Sequence, residues 1–370
     1  MNKKVKVLLW LVFFAVITAV SGSLYFWFIL DRPFLETGKN QDTEIIINNG
    51  ESINTLAADL ESKRLINSSY YFILRYKILS KLNKAMPFQA GRFLLSGSLK
   101  PSEILDELTN PENARRFYVN ITIPPGSDSR KTAQIISDSG LSGYKNVITA
   151  IKELASSYPV VNNSEGLQGY LFPDTYKFEK PLNDSTDVLN QKAEEIIRKM
   201  ADEFFRELSV IEPDWKELTP VQLNEKIILA SIVEREYRVK EEAPEIAAVF
   251  NNRISKGMPL QSCATVAYVI LNTPEGKSYK NEYLKYNRRI FERYLKIDSP
   301  YNTYLYKGLP PGPICNPGMT ALEASFFPAD SDALYFVVKD PEKGTHYFSR
   351  DYSEHLEARK NYLENYVIKE

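Results

Sequence analysis

"YVNITIPPGSDSRKTAQIISDSGL", residues 118–141, reads as a strand, a turn and a helix in succession. The same pattern stands upstream in "TEIIINNGESINTLAADLESKRLI", residues 43–66: a β-branched strand, a turn at Gly50, then a helix with Leu56, Ala57 and Leu60 on one face. Laying Gly50 on Gly126 matches Ala57 with Ala133, Leu60 with Ile136 and Leu65 with Leu141. Two copies are too few for a solenoid. Between them, "AGRFLLSGSLKPSEILDELTN", residues 90–110, adds another strand, a turn at Ser96–Ser98 and a helix opened by Pro101 and bearing Ile104, Leu105 and Leu108. These segments predict an α+β chain.

Residues 44–110 then form a small module, for which two readings stand open: a structural spacer, or a glycan-binding module of LysM-like type. The second strand–turn–helix copy is expected to begin a mixed α/β catalytic domain over 117–370. At 370 residues and 44% hydrophobic content the chain has apolar material for two or three domains. Beyond residue 160 its loops are dense in Gly, Pro, Asn and Tyr, and alternate with helices predicted at about 185–208, 220–238 and 244–256. Function concentrates on such loops.

The N-terminus is of a different kind. Val7 to Leu30 runs 24 residues without a charge, a helix of roughly 36 Å, enough for a hydrocarbon core of about 30 Å. A cleaved signal peptide is the alternative, but the apolar run continues through Tyr25, Phe26, Trp27 and Phe28, beyond the usual signal-peptide core. Lys3, Lys4 and Lys6 precede it and Asp31 follows, so the positive-inside rule predicts a cytoplasmic tail at 1–6, a single transmembrane helix at 7–30, a linker at 31–43 and an extracytoplasmic remainder.

With 46 basic and 47 acidic residues the chain shows no basic footprint for nucleic acid. Its two cysteines, Cys263 and Cys315, lack metal-site spacing, and whether they pair is open. His346 and His355 are the only histidines. Without a third ligand they predict no metal, and no nucleotide or phosphate loop implies a cofactor.

The helix within "TPVQLNEKIILASIVEREY", residues 219–237, opens on a capping box: Thr219 at the N-cap, Pro220 at N1, Gln222 at N3. It closes on Glu234 and Glu236, about 200° apart on the helical wheel, so only one can serve a given cleft. Glu236 follows Leu229, Ile232 and Val233 on its face, whereas Glu234 follows Ile227, Ala230 and Ser231. A carboxyl among apolar side chains keeps its proton to higher pH, which suits Glu236 to general-acid work. Spacing alone equally allows Glu236 to end a solvated helix and pair with Arg235, Arg238 or Lys240.

Five motifs resemble, in order, those of the YceG-like (MltG-type) endolytic murein transglycosylases: "EGLQGYLFPDTY" (165–176), "ASIVEREY", "VFNNRISKGMPLQ", "YNTYLYKGLPPGPICNPG" (301–318) and "YFVVKDPEKGTHYFS". The upstream "GRFLLSGSLKPSEILDEL" is similar to the family's LysM-like part, and the anchor fits too. The resemblance implies cleavage of the β-1,4 bond between N-acetylmuramic acid and N-acetylglucosamine in nascent peptidoglycan strands, leaving a 1,6-anhydro-muramoyl end and setting strand length, at the cytoplasmic membrane near cell-wall synthases. It places the catalytic glutamate on the second Glu of "VERE", Glu236, with Glu234 as runner-up.

Two departures from the family pattern follow. Gln168 stands where the family usually has Glu, and Cys263 stands in "QSCA" where it tends to have an acid. Glu165 could replace the missing carboxylate only if the backbone is helical there. Segment 165–176 is then read as a wall of a glycan groove, with Tyr170 and Tyr176 offering ring faces and Gln168 a hydrogen bond, or else as a turned core segment around Pro173 and Asp174. Gln261, Asn302, Thr303, Tyr304 and Asn316 are the further candidate sugar-binding residues, with plain loop architecture as the alternative for 301–318. Two other functions stay in view: a catalytically silent glycan-binding scaffold, motivated by Gln168 and Cys263, and a two-carboxylate hydrolase pairing Glu236 with Glu165 or Asp174.

Overall fold

The computed structural model describes residues 3–34, 42–48, 50–82, 86–114, 118–181 and 185–367, with only part of the side chains inside the first helix and without the side chain of Asp42. Most of the expected linker and part of the expected cytoplasmic tail lie outside the described residues. The chain divides into two compact units, the second beginning at Tyr118.

The first unit holds α1 (Lys3–Leu30), β1 (Asp42–Ile47), α2 (Ile53–Ser62), α3 (Ser69–Lys81), β2 (Gly91–Ser96) and α4 (Pro101–Thr109). Helix α1 covers the expected transmembrane stretch, although among the described residues no helix is long and apolar enough to cross a membrane. Strands β1 and β2 pair antiparallel, Ile45 opposite Phe93 and Ile47 opposite Gly91. Their alternation turns Ile45, Ile47, Phe93 and Leu95 onto Leu56, Ala57 and Leu60 of α2 and Ile104, Leu105 and Leu108 of α4. The turn at Gly50 needs a left-handed φ of 75°, and Ser52 caps α2 by accepting from the Thr55 N–H. Helix α3 was not foreseen. Tyr71 and Phe72 are its fully buried apolar side chains, too few to give a legible stripe.

The second unit runs β3 (Tyr118–Thr122), α5 (Ser129–Asp138), α6 (Tyr144–Glu153), β4 (Thr175–Glu179), α7 (Thr186–Ile211), α8 (Pro220–Glu236), α9 (Ala243–Ser255), α10 (Cys263–Asn272), α11 (Lys280–Lys285), α12 (Met319–Phe326), β5 (Tyr335–Asp340), β6 (Thr345–Ser349) and α13 (Tyr352–Tyr362). Strand β3 does not pair within its own strand–turn–helix copy. It takes β4 as an antiparallel partner, Ile121 opposite Tyr176.

Helix α8 organises this unit. Leu223, Ile227 and Ala230 belong to one apolar cluster, with α5, α6, α7 and segment 167–178. Ile228, Leu229, Ile232 and Val233 belong to a second, with α9, α10 and the 294–315 loops. From Ile227 to Val233 every residue of α8 is buried, while Val221, Gln222 and Glu225 before that stretch and Arg235 after it are exposed. Thr219 and Gln222 close the first end, as the capping box requires. The second end carries the two glutamates.

Candidate active site

At the C-terminal end of α8 the two carboxylates diverge to different helix starts. Glu236, half-buried, accepts a short hydrogen bond from Ser262 Oγ. Ser262 is the N-cap of α10, and its Oγ also accepts from the Ala264 N–H at 3.2 Å. Glu234 instead accepts from the Gly318 N–H at 3.0 Å, at the N-cap of α12. The 200° separation is thus realised as two separate anchor points.

Burial raises the pKa of Glu236 above the ordinary carboxylate value. Against that act the Ser262 hydroxyl, the Ala264 N–H, and the charges of His346 and Arg235. The start of α10 adds a favourable dipole for the anion. Glu236 is therefore pushed toward holding a proton, yet donors wait to receive the charge once the proton leaves. Burial also raises the pKa of Glu234, offset by the Gly318 N–H, Tyr237 and Arg235.

The sequence before α10 is held to aim Ser262. Gln261, exposed, has a left-handed φ of 53°, and its N–H donates to the Thr303 carbonyl at 3.1 Å. The Ser262 N–H donates to Thr303 Oγ1 at 3.1 Å, and Thr303 Oγ1 meets Thr265 Oγ1 at 2.9 Å. Buried Arg253 secures the preceding turn, donating to the carbonyls of Pro259 at 3.2 Å, Leu260 at 2.9 Å and Leu334 at 2.7 Å. Tyr304 is half-buried, with its hydroxyl 3.2 Å from the exposed Cys263 Sγ. Burial raises both of those pKa values. His346 Nδ1 lies 2.7 Å from Glu242 Oε2.

Segment 165–176 turns Gln168, Tyr170 and Tyr176 inward and not toward a groove, while Glu165, Asp174 and Thr175 are exposed. Tyr170 is fully buried, its hydroxyl donating to Asn224 Oδ1 at 3.0 Å and its ring packed on Phe204. Tyr176 is buried too, donating to the Phe172 carbonyl at 2.7 Å. Gln168, also buried, donates through Nε2 to Tyr268 Oη at 2.8 Å and the Pro313 carbonyl at 2.7 Å, and accepts from the Ser129 N–H at 3.1 Å. Glu165 lies in a turn rather than a helix, so it cannot take the place of a carboxylate at 168 by helical spacing. Asn316 is fully buried and accepts from the Gly169 N–H at 2.7 Å. Asn302 is likewise buried, donating to the carbonyls of Leu295 at 3.0 Å and Ile297 at 2.8 Å. Apart from Tyr170, which meets another side chain, these are braces: polar side chains spent on backbone groups that loops without regular structure leave unpaired.

The structure therefore gathers Glu236, Gln261, Thr303 and Tyr304 about Ser262, and places Gln168, Tyr170, Tyr176, Asn302 and Asn316 in the interior. Thr303 is buried and acts through Ser262. Ser262 was not anticipated, although a Ser directly before the apolar run "CATVAYVILN" is an N-cap signal. Cys315 is buried and free, with its Sγ donating to the Ser231 carbonyl at 3.2 Å. Beside the glutamates, a cleft of about 300 Å³ opens between residues 125–131, Arg235, residues 264–272 and Arg288.

Comparison with known proteins adds an independent line. The family model described as the YceG-like family matches residues 45–361. A Bacillus subtilis protein named endolytic murein transglycosylase is 31% identical over 355 residues, 91% of this chain and 90% of that protein. A Streptococcus pneumoniae protein of the same name is 29% identical over 380 residues, 95% of this chain but 64% of that longer protein. A solved structure of a YceG-like protein from Listeria monocytogenes superposes with a TM-score of 0.53 at 26% identity, over 86% of this chain and 99% of that one.

Proposed function

The chain belongs to the YceG-like family, and from that premise we propose that it is a membrane-anchored endolytic lytic transglycosylase of peptidoglycan, with Glu236 as its acid and base. The observation that carries this reading is the carboxyl of Glu236, raised in pKa by burial and held by Ser262 at the start of α10. Protonated, Glu236 donates to the glycosidic oxygen between N-acetylmuramic acid and N-acetylglucosamine as oxocarbenium character develops. The resulting carboxylate is stabilised by the Ser262 hydroxyl, the Ala264 N–H and the helix start. It then takes the proton of the muramoyl C6 hydroxyl as that oxygen attacks C1, closing a 1,6-anhydro ring. The attacking hydroxyl belongs to the same sugar, so it is already positioned and a second carboxylate is not required.

The charge-free run from Val7 to Leu30, preceded by Lys3, Lys4 and Lys6, supports an anchor in the cytoplasmic membrane with the remainder extracytoplasmic. Residues 44–110, from β1 to α4 with an apolar core of their own, are read as the LysM-like glycan-binding module. Anchoring confines cleavage to strands being made by nearby synthases, and each cut ends the growth of a strand.

End-group analysis tests the proposal. The full chain in detergent is incubated with nascent glycan, and the products are examined by mass spectrometry. Anhydro-muramoyl ends, abolished by Glu236→Gln, are the expected result. Reducing muramic acid ends would make the protein a hydrolase, and no new ends would make it a scaffold.

A further inference from the structure

The cleft beside the glutamates carries an excess of positive charge. Lys131, Arg235 and Arg288 line it, against the single carboxylate of Asp128. Among the described residues none of the three cations has an ion-pair partner. Its floor is apolar: Pro125, Ala267, Tyr268, Leu271 and Ile314. Its position is also particular. Ala264 both lines the cleft and donates its N–H to Ser262 Oγ, the hydroxyl that holds Glu236, and Arg235 sits between the two glutamates in sequence.

The cleft is built rather than incidental. Arg130 ties the start of α5 to the end of α10, donating to the carbonyls of Leu271 at 2.9 Å and Asn272 at 2.7 Å. Asn316 holds the opposite lip: its N–H donates to the Ser127 carbonyl at 2.9 Å, and its carbonyl accepts from the Gly126 N–H at 3.0 Å. Gly126 has a φ of 77°, a left-handed conformation that suits glycine at this turn. Asn287 and Arg288 adopt left-handed φ values of 49° and 60° in succession, a costly backbone for non-glycine residues.

We propose that this cleft binds the peptide carried by the muramoyl sugar at the cleavage point, its cations taking the peptide carboxylates and its apolar floor the side chains. The inference rests on the glycan-cleaving reading above and adds to it a preference for peptide-bearing strands over bare ones. Asp128 within the same wall favours a peptide, which brings amide or ammonium donors along with its carboxylates, over a dense anion such as pyrophosphate. The volume lies at the lower end for small-ligand sites and fits a short peptide.

The test separates binding from cleavage. The full chain carrying Glu236→Gln is titrated with three probes: a muramoyl disaccharide bearing its peptide, the same compound with the peptide carboxylates amidated, and the peptide-free disaccharide. The first is expected to bind about five- to tenfold more tightly than the others, and added salt should erode the advantage. Lys131→Gln with Arg288→Gln, both at exposed positions, should bring all three probes to one affinity. Equal affinities in the parent protein, or an advantage unchanged in the double variant, would overturn the proposal. Absence of anhydro ends in the cleavage assay would overturn the transglycosylase reading instead, leaving the binding result to stand on its own.

Discussion

Gln168→Glu puts a carboxyl in place of a buried amide, and it should destabilise the protein in a pH-dependent way. Gln168 Nε2 stands 2.7 Å from the Pro313 carbonyl, in a buried site. An ionised oxygen there would face another acceptor without solvent, so the native state would keep the new carboxyl protonated, donating to Pro313. Its folded pKa would be raised above the unfolded value, so stability is nearly retained below about pH 4 and lost as pH rises toward the folded pKa. If the carboxyl stays protonated throughout, the deficit grows by about 1.4 kcal/mol per pH unit, or about 2.7 kcal/mol from pH 5 to pH 7. For a unit of this size that is a Tm loss growing by roughly 5–10 °C over the window. Thermal unfolding followed by near-ultraviolet circular dichroism at pH 5, 6 and 7 reads it directly. Gln168→Leu is the control, with a pH-independent loss of about 1–3 kcal/mol from the unpaired Ser129 N–H and Pro313 carbonyl. A Gln168→Glu protein as stable as the parent at pH 7, or a deficit that does not change with pH, would refute the bracing role given to Gln168.

Glu236→Gln should lower the rate of strand cleavage by about 10²–10⁴-fold. It should also raise Tm at neutral pH, because a carboxyl whose pKa burial has raised costs stability once ionised, and that gain should vanish below about pH 4 in parallel melts. Ser262→Ala removes a donor that holds the Glu236 pKa down, so the alkaline limb of the cleavage pH profile should move upward. It should also cost about 1 kcal/mol in urea titrations for the lost N-cap of α10. Gly169→Ala should cost roughly 2–4 kcal/mol in the same titrations, since its φ is 91° and a Cβ would come within 2.5 Å of Pro313 Cγ and 3.0 Å of Ile227 Cγ2. A Tm equal to the parent's would mean that the 165–176 segment packs otherwise.

The sequence by itself determined what depends on neighbours in the chain. The capping box at Thr219, the turn at Gly50, the buried faces of α2 and α4 and the divergence of Glu234 from Glu236 all follow from spacing, because caps, turns and helical periodicity are local. The depth of α8 was not local: its stretch from Ile227 to Val233 is buried on every side, since two clusters distant in sequence close on it. Only the tertiary structure decided which polar residues face outward. Tyr170, Tyr176, Asn302 and Asn316 have the composition of a sugar-binding surface, yet irregular loops packed into an interior must satisfy their own backbone groups, which Tyr176, Asn302 and Asn316 do, while Tyr170 donates to the Asn224 side chain of α8. The partner of Glu236 was equally out of reach of spacing. Ser262 lies 26 residues away, and the two meet because Arg253 and Thr303 hold the turn before α10 against the end of α8.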